Sequence, residues 1–192
     1  MNGLKIVMVT LLAGGLSIGI ALLGERWLGD AAPSSPGQSL ARAPLTRLPP
    51  FQLPDVAGQV HSNRDWAGRV LILHYWATWC PDSVRQMDLL GDLARERADA
   101  GWQLVGVAID RPADVERFLA ERPVDHLVLV GDEAAMDLAV RFGNRIQALP
   151  FTMVFDATGR QVFRQVGELD PAVLRPILTA LVGEHKRTKG DN

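Results

Sequence analysis

The stretch Trp76-Ala77-Thr78-Trp79-Cys80-Pro81-Asp82-Ser83 sets a thiol one residue before a proline and ends, three residues on, in a hydroxyl. Cys80 is the only cysteine in the chain. Thiol chemistry is nucleophilic, and the reactive species is the thiolate. Upstream, Val70 to Trp76 (VLILHYW) is nearly unbroken apolar sequence, as in a central strand covered on both faces. Downstream, Pro81 suits the first position of a helix. Cys80 is therefore predicted at a helix start, where unsatisfied N–H groups and the positive end of the helix dipole favour thiolate. Asp82 opposes this, because a nearby carboxylate disfavours a second negative charge. Trp76 and Trp79 are expected to flank the approach and keep bulk water from the sulfur. The competing reading is an ordinary buried cysteine.

The elements that must position this thiol follow from periodicity. A helix is predicted from Pro81 to about Arg97, with Val84, Met87, Leu90 and Leu93 or Ala94 on one face. Buried strands are predicted at 103–109 and 126–131, with a helix at 112–121 between them. A further helix over 132–143 is started by Asp132 and stopped by Gly143. Residues 151–155 and 161–167 read as a hairpin around the turn DATGR. A last helix over 170–183 has Asp170 as its cap and Pro171 in its first turn, and Pro176 is placed to kink it. Such βαβ units imply an α/β domain: a mostly parallel central sheet with an antiparallel hairpin at one edge and helices on both faces.

On these residues a resemblance can be named. WATWCPDS resembles the thioredoxin-fold active site W-A-x-W-C-P-x-C. The lead-in LPPFQLPDVAGQVHSNRDWAGRVLILHYWATWC, the strand and helix inserted at 126–142, and ALPFTMVFDATGRQVFRQVGELD are similar to the membrane-anchored TlpA-like and ResA-like thiol-disulfide oxidoreductases. The resemblance spans roughly residues 48 to 182. It implies that Cys80 is the exposed attacking cysteine and that Pro81 is the proline that follows it. Leu149-Pro150 would be the pair in which a cis-proline packs against the active site. The backbone before that proline would pair with an incoming extended peptide. The resolving cysteine of the family corresponds to Ser83. Serine can donate a hydrogen bond to a Cys80 thiolate, but it cannot attack a mixed disulfide, so release by an internal second thiol is closed. His74 stands where a buried acid or asparagine is common in the family, and is a candidate to take up or relay a proton; a hydrogen-bonded core histidine is the alternative.

Two functions follow. One is monothiol exchange at Cys80, its partners being cysteine-containing extracytoplasmic proteins or glutathione-like thiols. The other is a redox-silent module that holds an extended peptide beside Pro150, edged by Trp76 and Trp79. A single-cysteine peroxidase of pattern P-x-x-x-T-x-x-C would require threonine at 77 and proline at 73, where Ala77 and Leu73 stand. His61, His126 and His185 are too scattered for metal-ligand spacing, and no cofactor motif is present. The acidic residues at 110–116 and Glu168 read as solvated charges. A formal net charge of -2 without a basic stripe argues against nucleic-acid binding.

The chain has 192 residues, of which 47% are hydrophobic, enough for one globular domain with a sizeable core. Residues 6–23 (IVMVTLLAGGLSIGIALL) carry no charge and as a helix would span roughly 27 Å, sufficient for a hydrocarbon core. They are expected to anchor the chain by a single transmembrane helix, the alternative being a cleaved signal peptide. Residues 1–5 would be cytoplasmic and the domain would face the periplasm or cell exterior. Residues 24–47 read as a flexible tether with a reach on the order of 25–30 Å. The domain is placed at 48–185 and a disordered tail at 186–192.

Overall fold

The computed structural model describes residues 45–96 and 101–190. The apolar run 6–23, expected to be an anchor, and most of the expected tether lie outside the described residues. Among the described residues no helix is long and apolar enough to cross a membrane.

Among the described residues, seven strands and four α-helices follow one another in the order β1 (Gln52–Pro54), β2 (Val60–Ser62), β3 (Val70–Trp76), α1 (Pro81–Glu96), β4 (Trp102–Ile109), α2 (Pro112–Glu121), β5 (Leu127–Gly131), α3 (Glu133–Arg141), β6 (Phe151–Phe155), β7 (Gln161–Val166) and α4 (Pro171–Gly190), with one 3-10 turn over Asn63–Trp66. The main sheet has strand order β5-β4-β3-β6-β7. Strands β3, β4 and β5 run parallel, while β6 is antiparallel to β3 and pairs with β7 as the edge hairpin. This is the α/β arrangement that the alternation of apolar runs and helical patterns implies. The sequence reading lacked the small β1–β2 hairpin, whose three-residue strands are too short to show a period.

Strand β3 is buried along its whole length. Its alternating side chains divide two layers. Leu71, Leu73 and Tyr75 join Phe142 of the segment closing α3, Leu138 and Trp66 in one apolar cluster. Val70 and Ile72 join Leu90 and Leu93 of α1 and Leu174 and Leu178 of α4. Trp76, further along the same face, packs with Met87 of α1, Ala108 and Val115 of α2. Each such large side chain contributes on the order of 1.5–3 kcal/mol by leaving water. With a single cysteine, this burial holds the fold without an internal disulfide.

Two boundaries differ from expectation. The domain already includes residues 45–47: Leu45 N–H donates to Arg141 O at 3.1 Å, and Gln161 N–H donates to Thr46 O at 2.9 Å. Backbone hydrogen bonds to the end of α3 and to β7 thus fix the end of what reads in sequence as tether. Helix α4 continues to Gly190 instead of stopping at 183. The residues after Gly183 are mostly good helix formers, and one interior glycine costs only about 1 kcal/mol.

Candidate active site around Cys80

Cys80 sits where β3 has ended and α1 begins. Its N–H donates to Ala77 O at 3.2 Å, and its own carbonyl accepts from Val84 N–H at 3.1 Å, so it is the half-in residue that opens the helix. The loop before it is tied down by Asp110, immediately beyond β4. One oxygen of that carboxylate accepts from Thr78 N–H at 3.2 Å and from Thr78 Oγ1 at 2.5 Å. The other accepts from Arg111 N–H at 2.8 Å. Because β3 and β4 are parallel neighbours, their C-terminal ends lie side by side, and Asp110 is placed to hold the turn.

The sulfur is half-buried and faces the loop before β6: Cys80 Sγ donates to the Leu149 carbonyl at 3.7 Å. The Leu149–Pro150 bond is cis, as the resemblance implied. That loop is braced internally by Asn144, which is fully buried. Its Nδ2 donates to Ala148 O at 2.8 Å and its Oδ1 accepts from Ala148 N–H at 3.0 Å. On the far side, Gly167 N–H donates to Pro150 O at 2.8 Å. The loop is thereby tied within itself and to the end of β7, and Cys80 Sγ meets it at Leu149.

The remaining expected residues are distributed unevenly. Trp79, adjacent to Cys80 in the chain, is 68% exposed. Pro81 is exposed and Leu149 is half-buried, so both are reachable. Pro150 is buried, which leaves Leu149 as the accessible member of the pair.

Trp76 does not flank the approach. Its ring is fully buried, 5.2 Å from that of Phe118, because strand alternation turns it beneath the helices.

Ser83 is also fully buried, and its Oγ has no hydrogen-bond partner in the protein, so the expected bond to Cys80 is not formed. The reason is helical phase. The buried stripe of α1 runs through Ser83, Gln86, Met87, Leu90 and Leu93, beginning one residue before the expected Val84, which is half-buried.

His74 is fully buried beneath α1, and its Nδ1 shares a 3.0 Å hydrogen bond with Thr152 Oγ1. Burial pushes the imidazole down to about 3, and neighbouring His126 acts in the same direction. The Ser83 carbonyl lies close enough to oppose them weakly, without hydrogen-bond geometry to Nε2. The ring is therefore neutral near neutral pH. No hydrogen bond joins it to Cys80, and its position suits a hydrogen-bonded core histidine better than a proton-accepting partner.

Several positioning residues were not read from sequence. In the sequence Asp110 and Glu168 both read as solvated charges. Glu168 is exposed, as expected, and its Oε1 accepts from Arg85 Nη2 at 2.7 Å, while the same Arg85 nitrogen reaches Asp82 Oδ1 at 2.6 Å. The charge of Asp82 beside Cys80 is thus offset by Arg85. Gln86, fully buried, binds the Leu169 backbone twice, at 2.9 Å to its carbonyl and 2.5 Å from its N–H. A signal was available for Asp110: it directly follows the last apolar residue of the strand beside β3. Asn144 offered none.

The geometry is a solvent-reachable thiol at a helix start, opposite the carbonyl of a residue preceding a cis-proline. Known proteins are similar to this chain in sequence and fold. The thiol:disulfide interchange protein DsbE of Vibrio cholerae is 26% identical over 147 residues, covering 73% of this chain and 76% of that protein. The thiol-disulfide oxidoreductase ResA of Geobacillus thermodenitrificans is 26% identical over 113 residues, 58% of this chain and 63% of that one. A solved thioredoxin-family thiol:disulfide interchange protein from Chlorobium tepidum matches with a TM-score of 0.65 at 22% identity, covering 74% of this chain and 99% of the other, a likeness of fold. The family model described as Redoxin matches residues 44–180. With a ResA- and TlpA-like thioredoxin fold and a single active-site cysteine, this chain belongs to the Redoxin family.

Proposed function

We propose that the protein carries out thiol-disulfide exchange through Cys80 alone, on extracytoplasmic protein or small-molecule disulfides, from a domain anchored to the membrane by residues 6–23. The observation that carries this reading is the Cys80 sulfur 3.7 Å from the Leu149 carbonyl, half-exposed beside Trp79. In the first step the Cys80 thiolate attacks one sulfur of a substrate disulfide. A Cys80–substrate S–S bond forms as the substrate S–S bond breaks, and the departing thiolate takes a proton from solvent. A second thiol, on the substrate or on a small glutathione-like molecule, then attacks the mixed disulfide and returns Cys80 as thiolate. When that thiol belongs to the substrate the net change is isomerisation, with no electrons supplied from outside. Ser83 cannot perform this second attack, so release depends on another thiol.

Relatives of this chain bear the names thiol:disulfide interchange protein and thiol-disulfide oxidoreductase, which supports exchange as the reaction class. The test is direct. The full-length chain is incubated with a peptide carrying one internal disulfide, and intact mass is recorded. One peptide adduct per chain, absent in Cys80→Ala and reversed by glutathione, is the expected result.

A second reading, a redox-silent peptide-binding module, is favoured by one observation: large apolar side chains stay exposed beside a site that lacks a second thiol. Trp79 is 68% exposed and Ile146, in the loop leading to Leu149, is 78% exposed. Peptide binding without any adduct, equal in wild type and Cys80→Ala, would establish that reading in place of the first.

A further inference from the structure

Helix α3 carries an acid and a base, Asp137 and Arg141, that do not pair. They stand four residues apart with the acid nearer the N-terminus, the order that favours an ion pair along a helix. On α1 and α2 comparable neighbours do close, Asp82 with Arg85 at 2.6 Å and Asp114 with Arg117 at 3.4 Å. Among the described residues no ion pair includes Asp137 or Arg141. Arg141 is half-buried, and its Nε is shielded from solvent without an acceptor in the protein. Asp137 is exposed.

Both residues line one cavity of about 380 Å³, walled by α3 on one side and by residues 49–53 on the other. A volume of that order is what a small-molecule site needs. Leu53, Ala135 and Leu138 are buried in its lining and Phe51 is half-buried. Asp132 also borders the cavity, but its carboxylate is engaged as the helix cap, where Oδ1 accepts from Ala135 N–H at 3.0 Å. The cavity therefore offers apolar walls, one unpaired guanidinium and one unpaired carboxylate. It shares no residue with the site around Cys80.

We propose that this cavity binds a small zwitterion with an apolar body, the chemistry of an apolar α-amino acid. The ligand carboxylate meets the Arg141 guanidinium, the ammonium meets Asp137, and the apolar body lies against Leu53 and Leu138. The charges select the class. A simple anion would face Asp137 as a like charge, and a simple cation would face Arg141 in the same way. A neutral apolar ligand would leave the guanidinium without the planar, two-pronged acceptor that it binds best. Residues four apart on a helix have Cβ atoms about 5–6 Å from each other. One ligand with both charges on a single carbon can therefore reach both, completing an ion-pair chain that the two side chains do not close directly.

The experiment uses the full-length chain in lipid nanodiscs, with para-fluoro-L-phenylalanine as the probe and fluorine NMR line broadening as the readout; empty nanodiscs give the reference. Two analogues each remove one charge, the N-acetyl derivative and the carboxamide. The zwitterion is expected to bind about tenfold or more tightly than either, since each analogue leaves one charged group unpaired. Asp137→Asn should erase the preference over the N-acetyl derivative, and Arg141→Met the preference over the carboxamide. No saturable broadening in the wild type, equal affinity for the three probes, or preferences that survive both substitutions overturn the proposal. Should Arg141→Met fail to fold, Ala134→Trp gives the reading, because it fills the cavity from an exposed position. Binding is then lost; unchanged binding overturns the proposal.

Discussion

Cys80 and Leu149 lie 69 residues apart in sequence, yet the sulfur of one donates to the backbone carbonyl of the other at 3.7 Å. This contact joins a helix start to the loop before β6, and neither segment alone would make a site. A thiol at a helix start is simply a cysteine until an open backbone edge stands opposite it. Polar bracing orders each side separately, Thr78 by Asp110 and Ala148 by Asn144.

Replacing Ser83 with cysteine should restore internal release. Wild type is expected to accumulate the mixed disulfide when external thiol is scarce, whereas Ser83→Cys should discharge it and turn over with a dithiol reductant. Quenched-flow mass measurement of the adduct checks this. Persistence of the adduct in the variant would show that position 83, buried on the helix stripe, is turned away from the Cys80 sulfur.

The loop brace can be measured as stability. Asn144→Ala removes two hydrogen bonds and leaves the Ala148 N–H and carbonyl without their partner, so a loss of about 1–3 kcal/mol is expected in urea unfolding. Adduct formation at Cys80 should slow as well, since Leu149 follows directly.

Asp110→Ala should act locally. The variant frees Thr78 from two charge-assisted bonds, the kind worth about 1.5–3 kcal/mol each in favourable settings. Amide exchange at Thr78 is expected to accelerate, with adduct formation reduced severalfold and the far-UV spectrum unchanged. Asp110→Asn should recover part of the rate, because an amide oxygen can still accept.

His74 gives a pH dependence with a definite sign. Its folded value, near 3, lies below the ordinary 6.5 because burial disfavours the charged ring. Between those values the unfolded chain binds the proton and the folded one does not. Stability is therefore fully present above about pH 6.5 and falls as the pH drops towards 3, by up to about 1.4 kcal/mol per pH unit for one such group. His126, lowered in the same direction, adds to this in part because it is only half-buried. Urea midpoints at pH 7, 6 and 5 should decline in wild type and decline less steeply in His74→Asn.

Much was legible because the relevant signals are local. The apolar run 70–76 had to be a central strand, and the helix phase from Pro81 onward followed from residue spacing. Asp132 as a cap was equally readable, and its Oδ1 does accept from Ala135 N–H at 3.0 Å. The thiol at the helix start and the Leu149-Pro150 pair were recognisable as motifs. Sequence also determined the chemical boundary of the protein: with one cysteine, and serine at 83, no dithiol can form within the chain.

Tertiary structure decided which of these residues face the solvent and which face the core. Trp76 and Trp79 look equivalent in sequence, but one packs on Phe118 and the other stands 68% exposed, because the strand ends between them and its alternation no longer applies. Ser83 is turned inward because the buried stripe of α1, which starts at Pro81 as expected, begins at Ser83 and not at Val84. Asp110 and Asn144 acquired their roles from groups that only folding brings within hydrogen-bond reach. Local pattern is set by steric and apolar preferences a few residues long, whereas a site depends on which distant backbone groups the sheet order places side by side.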